Sequence, residues 1–133
     1  MNGACLDTNI YAAFKQGNRD IAALLRTFDV IGVDVTVIAE LYTGFRLGER
    51  ESVNRRELAL FLESPRVRLL PHEELTAEYF ALVVKQLRDK GRPIPTTDIW
   101  IAANAMHHGL PLLTLDGHFK EIEGLLLVDL EAS

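Results

Sequence analysis

Apolar residues along this chain follow two alternating patterns, short unbroken runs and stripes at helical spacing. The first run, Ala4-Cys5-Leu6, stops at Asp7-Thr8-Asn9, after which Ile10, Ala13 and Phe14 return at i, i+3 and i+4, so strand, turn and helix are predicted in that order. A second helix is predicted over about 20–28, with Ile21, Leu24, Leu25 and Phe28 on one face, followed by a compact strand at Val30-Ile31-Gly32-Val33. Thr36 can cap a third helix whose stripe is Val37, Ile38, Leu41 and Phe45, with Gly48 as its stop. Leu58, Phe61 and Leu62 mark a helix over 53–62, ended by Ser64-Pro65, and Val67 to Leu70 forms a third strand. An amphipathic helix spans 75–87, and the segment 89–95, with one glycine and two prolines, is the clearest loop. Thr96 or Thr97 then caps a helix with Ile99, Ala102, Ala103 and Met106 on one face, ending near His108-Gly109. A fourth strand is predicted over 110–115, interrupted by Pro111, and a fifth over 125–128 before a polar tail. Strands that read as continuous apolar runs and alternate with helices predict an α/β fold, a parallel sheet covered on both faces.

Composition narrows this picture. A chain of 133 residues, 48% apolar and 25% charged, suits one globular domain over 1–133. Its longest apolar runs are a few residues, against the roughly 20 a membrane helix needs, and no secretory signal is read at the N-terminus, so the expected compartment is the cytoplasm. The one cysteine, Cys5, sits between Ala4 and Leu6 and reads as a core residue, not a reactive thiol. A net charge of -5 argues against broad salt-driven adhesion to nucleic acid. The basic residues are nevertheless uneven: ten of the fourteen lie between Arg46 and Arg92, where they could form a local basic surface or pair with neighbours such as Glu49, Glu51, Glu57 and Asp89.

Four acids hold the candidate chemistry. In an open parallel sheet, ligands bind beyond the carboxyl ends of the strands where strand order reverses. Asp7 follows the first strand and Asp116 the fourth, so the two face each other if those strands are neighbours. Asp98 opens the helix leading into the fourth strand, at its positive end. Each has an ordinary explanation as well: a cap for Asp7, a first-turn dipole partner for Asp98, a turn residue for Asp116. Glu40 lies between Ala39 and Leu41 in an apolar stretch of its helix, where a carboxylate calls for a charged partner, a proton or a cation. Together the four would repel one another unless a hard cation, Mg²⁺ or Mn²⁺, joined them. Such a site polarises a phosphodiester and lowers the pKa of a bound water, and a second ion roughly 4 Å away could stabilise the leaving oxygen.

With these residues assembled, the chain resembles the PIN-domain ribonucleases, and within them the VapC toxins of toxin–antitoxin pairs. The resemblance runs nearly end to end through four motifs: Leu6-Asp7-Thr8-Asn9; Ile38-Ala39-Glu40-Leu41 with Gly44; Thr97-Asp98-Ile99-Trp100-Ile101-Ala102-Ala103-Asn104-Ala105; and Leu113-Thr114-Leu115-Asp116-Gly117-His118-Phe119. It implies a three-layer PIN-like fold, a five-stranded parallel sheet flanked by helices with the first and fourth strands adjacent. It also implies that Asp7, Asp98 and Asp116 are the acidic metal residues, and that Glu40 is either a ligand or an acid that positions the attacking water. Thr8, Asn9 and Thr114 would be hydrogen-bond partners that orient the carboxylates. The implied activity is endonucleolytic cleavage of structured RNA, transfer RNA or ribosomal RNA, to arrest translation. The implied partners are a VapB-like antitoxin whose tail fills the groove and a second copy of the chain.

Other residues are assigned lesser parts. Arg46, beyond Glu40, is the candidate phosphate contact. Trp100 reads as packing or antitoxin contact. His118, two residues after Asp116, could approach a phosphate but reads first as helix packing or a solvent-facing residue, and His72, His107 and His108 lack ligand spacing. Competing functions are a catalytically silent PIN-like scaffold that binds a protein partner, a haloacid-dehalogenase-type phosphatase, which would need a carboxylate where Asn9 stands, and a receiver-like module, which lacks its acidic pair and late lysine.

Overall fold

Asp7 ends the first strand and starts the first helix. Its backbone stays extended while its carboxylate accepts from the Thr8 backbone N–H, so β1 (Gly3–Leu6) passes directly into α1 (Thr8–Lys15). The protein, seen in a computed structural model that describes residues 2–130, repeats this device along the chain. Asn18 caps α2 (Arg19–Leu25), and β2 (Val30–Asp34) runs into α3 (Val35–Leu47), which is followed by α4 (Glu51–Leu62). Then come β3 (Val67–Leu70), α5 (Glu74–Lys90), α6 (Thr96–His107), β4 (Leu112–Leu113) and a 3-10 turn over Gly117–Glu121. Gly91, with φ of 64°, ends α5 in the left-handed conformation that glycine adopts without strain.

Two helix starts differ from the sequence reading. The cap of α3 is Asp34 and not Thr36: Asp34 Oδ1 accepts from Thr36 N at 2.6 Å. Neither Thr96 nor Thr97 caps α6; both lie inside it, behind an extended Pro95. Proline suits that position because it pre-sets φ and has no N–H to leave unpaired.

Among the described residues the sheet has four parallel strands in the order β3-β2-β1-β4. The chain adds β2 and β3 on one side of β1 and β4 on the other, so strand order reverses between β1 and β4, which are neighbours as expected. Gly32 lets β2 approach its neighbours closely, since a Cβ there would stand 2.8 Å from Leu70 Cδ1 and 3.0 Å from Cys5 Sγ. Among the described residues the segment expected as a fifth strand does not form one. Leu112 bonds both Leu126 O and Val128 N, but a single parallel bridge between Leu112 and Leu127 is all that forms. The cause is the shortness of β4. Leu110 N is drawn back to Ala105 O in the terminus of α6, Pro111 has no N–H to give, and Thr114 turns to Asp7, so two residues remain to template a neighbour. The polar tail expected after this segment falls partly outside the described residues.

The strand interiors Leu6, Ile31, Val33, Leu112 and Leu113 are buried together with Val37, Leu58, Val83, Ile101 and Phe119 from the elements around the sheet. Cys5 is among them, as its neighbours indicated. No helix among the described residues is long and apolar enough to cross a membrane.

Candidate active site

Asp7, Glu40, Asp98 and Asp116 gather at the carboxyl edge of the sheet, around the reversal between β1 and β4. Asp7 N bonds Leu113 O at 2.9 Å, which brings Asp7 level with the end of β4 and with Thr114. Asp116 follows two residues later and opens the 3-10 turn by accepting from His118 N at 3.0 Å. Asp98 sits in the first turn of α6, its own N–H bonded to Pro95 O. Glu40 comes in from α3.

Two threonine hydroxyls tie these acids down, and an amide side chain holds a segment beside them. Asp7, buried, receives Thr8 N at one oxygen (2.8 Å) and the Thr114 hydroxyl at the other (2.6 Å). The Thr114 hydroxyl also accepts from Asp116 N at 3.0 Å, linking the two aspartates through one side chain. The Thr8 hydroxyl donates to Glu40 Oε1 at 2.6 Å. Asn9 acts one step removed: its Oδ1 accepts from Leu115 N at 3.2 Å and holds the segment leading to Asp116, with no contact to a carboxylate.

The electrostatics are those of crowded like charge. Burial pushes the Asp98 carboxyl above its ordinary pKa, the Asp7 charge pushes the same way, His118 opposes them, and Glu40 adds a further upward push. His118, read from sequence as a packing or solvent residue, stands between two of the acids. Its Nε2 lies 2.7 Å from Asp98 Oδ2 and its Nδ1 3.1 Å from Asp116 Oδ1, so each ring nitrogen faces a carboxylate at ion-pair distance. The available signal was its place two residues after an acid at a strand end, on a turn that Phe119, fully buried, pins to the core.

Arg46 is not brought to this cluster. It lies six residues after Glu40, about 120° around the helix from it, and pairs with Glu51 at 3.3 Å with its side chain largely exposed. Trp100 is packed between His72 (centroids 4.1 Å apart, stacked) and Phe80 (4.2 Å). A second polar group unmarked in the sequence reading lies one strand over. Asp34, buried at the end of β2, bonds Thr36 N, Asn104 Nδ2 at 2.8 Å and His72 Nε2 at 3.1 Å, and so links α3 to α6. Its signal was the same as that of Asp7, an acid where a strand turns into a helix.

One donor atom from each of Asp98, Asp116 and His118 lies within 4.8 Å of the others, with the Asp7 and Glu40 charges acting on the same place. Oxygen-rich, crowded and negatively charged, this donor set fits a divalent cation, which would offset the burial, and the repulsion from Asp7 and Glu40, that together raise the Asp98 pKa. Beside it runs a groove of about 470 Å³ lined by Thr114, Leu115, Asp116, Lys120 and Leu130.

The PIN-domain family matches residues 4–125 of this chain, which belongs to that family. Within it, the chain is similar to the VapC proteins. It is 28% identical to Ribonuclease VapC5 of Mycobacterium tuberculosis over 125 residues, covering 94% of this chain and 91% of that protein. Ribonuclease VapC4 of the same organism is 33% identical over 88 residues, 66% of this chain and 68% of that one. Solved structures of like fold include VapBC toxin–antitoxin complexes. One is VapBC2 from Rickettsia felis bound to a DNA fragment from their promoter, with a TM-score of 0.86, 25% identity, and coverage of 95% of this chain and 97% of that chain.

Proposed function

We propose that this protein is a divalent-metal-dependent endoribonuclease, the toxin of a VapBC-type toxin–antitoxin pair, with Asp7, Glu40, Asp98 and Asp116 as its acidic site. The observation that carries this reading is the convergence of four acids from four separate segments on one edge of a PIN fold, with hydrogen bonds that hold two of them in place. The VapC5 and VapC4 relatives, both named ribonucleases, supply the substrate class.

Asp7, Asp98 and Asp116 would hold the cation, Mg²⁺ or Mn²⁺. When bound, it polarises the phosphodiester and offsets charge on the leaving oxygen. The chain does the rest. Thr8 and Thr114 fix the Asp7 carboxylate, and the Thr8 hydroxyl leaves the second oxygen of Glu40 free of that bond to orient the attacking water and accept its proton. Arg46, off the cluster, would meet phosphates away from the cut. The RNA is a structured one, transfer or ribosomal, the chain acts in the cytoplasm as one domain, and a VapB-like antitoxin and a second copy of the chain are its protein partners.

Purified protein incubated with total RNA and Mg²⁺ or Mn²⁺ should cleave it. Chelator should abolish the cleavage, and Asp7→Asn should slow it by at least about 100-fold. Equal cleavage under all three conditions would overturn the reading, and no cleavage by the wild type would favour a silent scaffold.

A further inference from the structure

One buried polar group outside the acid site is left without a use. Tyr11 is 3% exposed, its ring is held edge-on by Phe61 (centroids 5.2 Å apart), and its hydroxyl has no hydrogen-bond partner among the described residues. A buried hydroxyl left unpaired carries a cost that phenylalanine would avoid. It borders a cavity of about 210 Å³ between α1, α3 and α4, walled by Leu41 and Phe45 from α3 and by Asn54 and Glu57 from α4, with Lys15 of α1 paired to Glu57. Burial, and after it the Glu57 charge, push the Tyr11 hydroxyl up to about 12, so hydroxyl and carboxylate share the same space. The cavity continues from the acid site: Leu41 follows Glu40, Tyr11 lies about one helical turn after Thr8, and the Thr8 hydroxyl bonds Glu40.

An apolar side chain in this cavity would leave the Tyr11 hydroxyl unpaired, along with the Asn54 amide and Glu57 Oε1, since Lys15 engages only Oε2. A flat ring with a hydrogen-bonding edge satisfies walls and polar groups together. RNA bases splayed out of a strand are held in this way, by packing on the ring face and bonds to the Watson–Crick edge. Of the four, only guanine sets two N–H donors, N1 and N2, beside an acceptor, O6. A carboxylate only accepts and so matches the two donors, and a hydroxyl can donate to O6. We infer that this pocket is a guanine site, in which Glu57 accepts from N1–H and N2–H, the Tyr11 hydroxyl donates to O6, and Leu41 and Phe45 pack on the ring, holding a guanosine of the RNA beside the acids. The Lys15–Glu57 pair is over a third exposed, so little is lost when it opens to the base. This rests on the proposed ribonuclease reading and adds a base preference to it.

Guanosine 5′-monophosphate (GMP) added to the ¹⁵N-labelled full chain, without metal or RNA, tests this by nuclear magnetic resonance. The backbone amides of Ala12, Leu41 and Asn54 should shift saturably, and the adenosine, cytidine and uridine monophosphates should bind at least about tenfold more weakly. Glu57→Gln should weaken GMP binding at least about tenfold and Tyr11→Phe about fivefold. Tyr11→Phe should nevertheless melt no lower than the wild type, since it removes an unpaired hydroxyl. In cleavage of a randomised RNA, guanine should be enriched at one fixed position near the cut, and Glu57→Gln should lose the enrichment. Equal shifts from all four nucleotides, or none from any, would overturn the assignment. Shifts from N-acetyl-leucine amide and not from GMP would overturn it too, giving the pocket to an apolar side chain of a protein partner. RNA cleavage without GMP binding would remove the guanine site and leave the ribonuclease, whereas GMP binding in a chain that cuts no RNA would do the reverse.

Discussion

Thr8 serves two acids at once: its backbone N–H donates to Asp7 at 2.8 Å, and its hydroxyl donates to Glu40 Oε1 at 2.6 Å, across 32 residues of chain. The hydroxyl is what gives Glu40, on a helix flank, a set orientation. Thr8→Val keeps the side-chain shape and the bond to Asp7 and removes the one to Glu40. It should reduce RNA cleavage about tenfold while lowering stability by about 1 kcal/mol or less. Thr8→Ser should restore cleavage. Activity assays paired with urea denaturation separate the two effects.

Asp98 sets a pH dependence in metal-free protein. Its folded pKa is raised, chiefly by burial and then by Asp7, so the folded chain binds this proton more tightly than the unfolded chain does. The stability this represents is present below the ordinary carboxylate pKa and is lost as pH rises through the raised value. In chelator, Asp98→Asn should therefore melt above the wild type at about pH 7, and the gap should close by about pH 3.5. Excess divalent cation at about pH 7 should reverse the order, because the wild type gains the ion. Differential scanning calorimetry measures all three points.

Asp34 should matter for stability more than for chemistry. It caps α3 and accepts from Asn104 and His72, so Asp34→Ala removes a helix cap and one of the three acceptors around the buried Asn104 amide, which keeps Leu70 O and Pro71 O. A loss of about 1–3 kcal/mol is expected, from the cap and the lost carboxylate hydrogen bonds together. The midpoint of urea unfolding should fall with its slope unchanged.

Cys5 should be inert in the native state. Burial first, and the Asp34 charge second, push its thiol up to about 12, which leaves roughly one thiolate in 10⁴ at about pH 8. Ellman's reagent should report no thiol in folded protein and one equivalent after guanidinium is added.

Much of this site was legible along the chain, for definite reasons. Asp7 and Asp116 were found because a buried parallel strand reads as an apolar run and its end is where a carboxylate interrupts that run. Asp98 was found because α6 has a clear periodic stripe whose start can be counted. Glu40 was found by being out of place among apolar neighbours. Asp34 obeyed the rule that found Asp7 and passed unremarked, because the residues that explain it, His72 and Asn104, are 38 and 70 positions away. His118 was set aside because its meaning lies in the direction of its ring. Arg46 looked close to Glu40 in sequence, but helical rotation carries it away.

By itself, the sequence determined the α/β alternation and the acids at element boundaries, since periodicity and chain reversals are local properties written in residue order; the adjacency of the first and fourth strands was implied by the PIN resemblance. Only the tertiary structure decided that the fifth strand shrinks to a bridge at Leu127, that Thr8 faces Glu40 and Thr114 faces Asp7, and that an imidazole stands between Asp98 and Asp116. Those outcomes depend on side-chain direction and on how far a two-residue strand can template its neighbour. Both are set by packing between segments distant in sequence, where no local pattern records them.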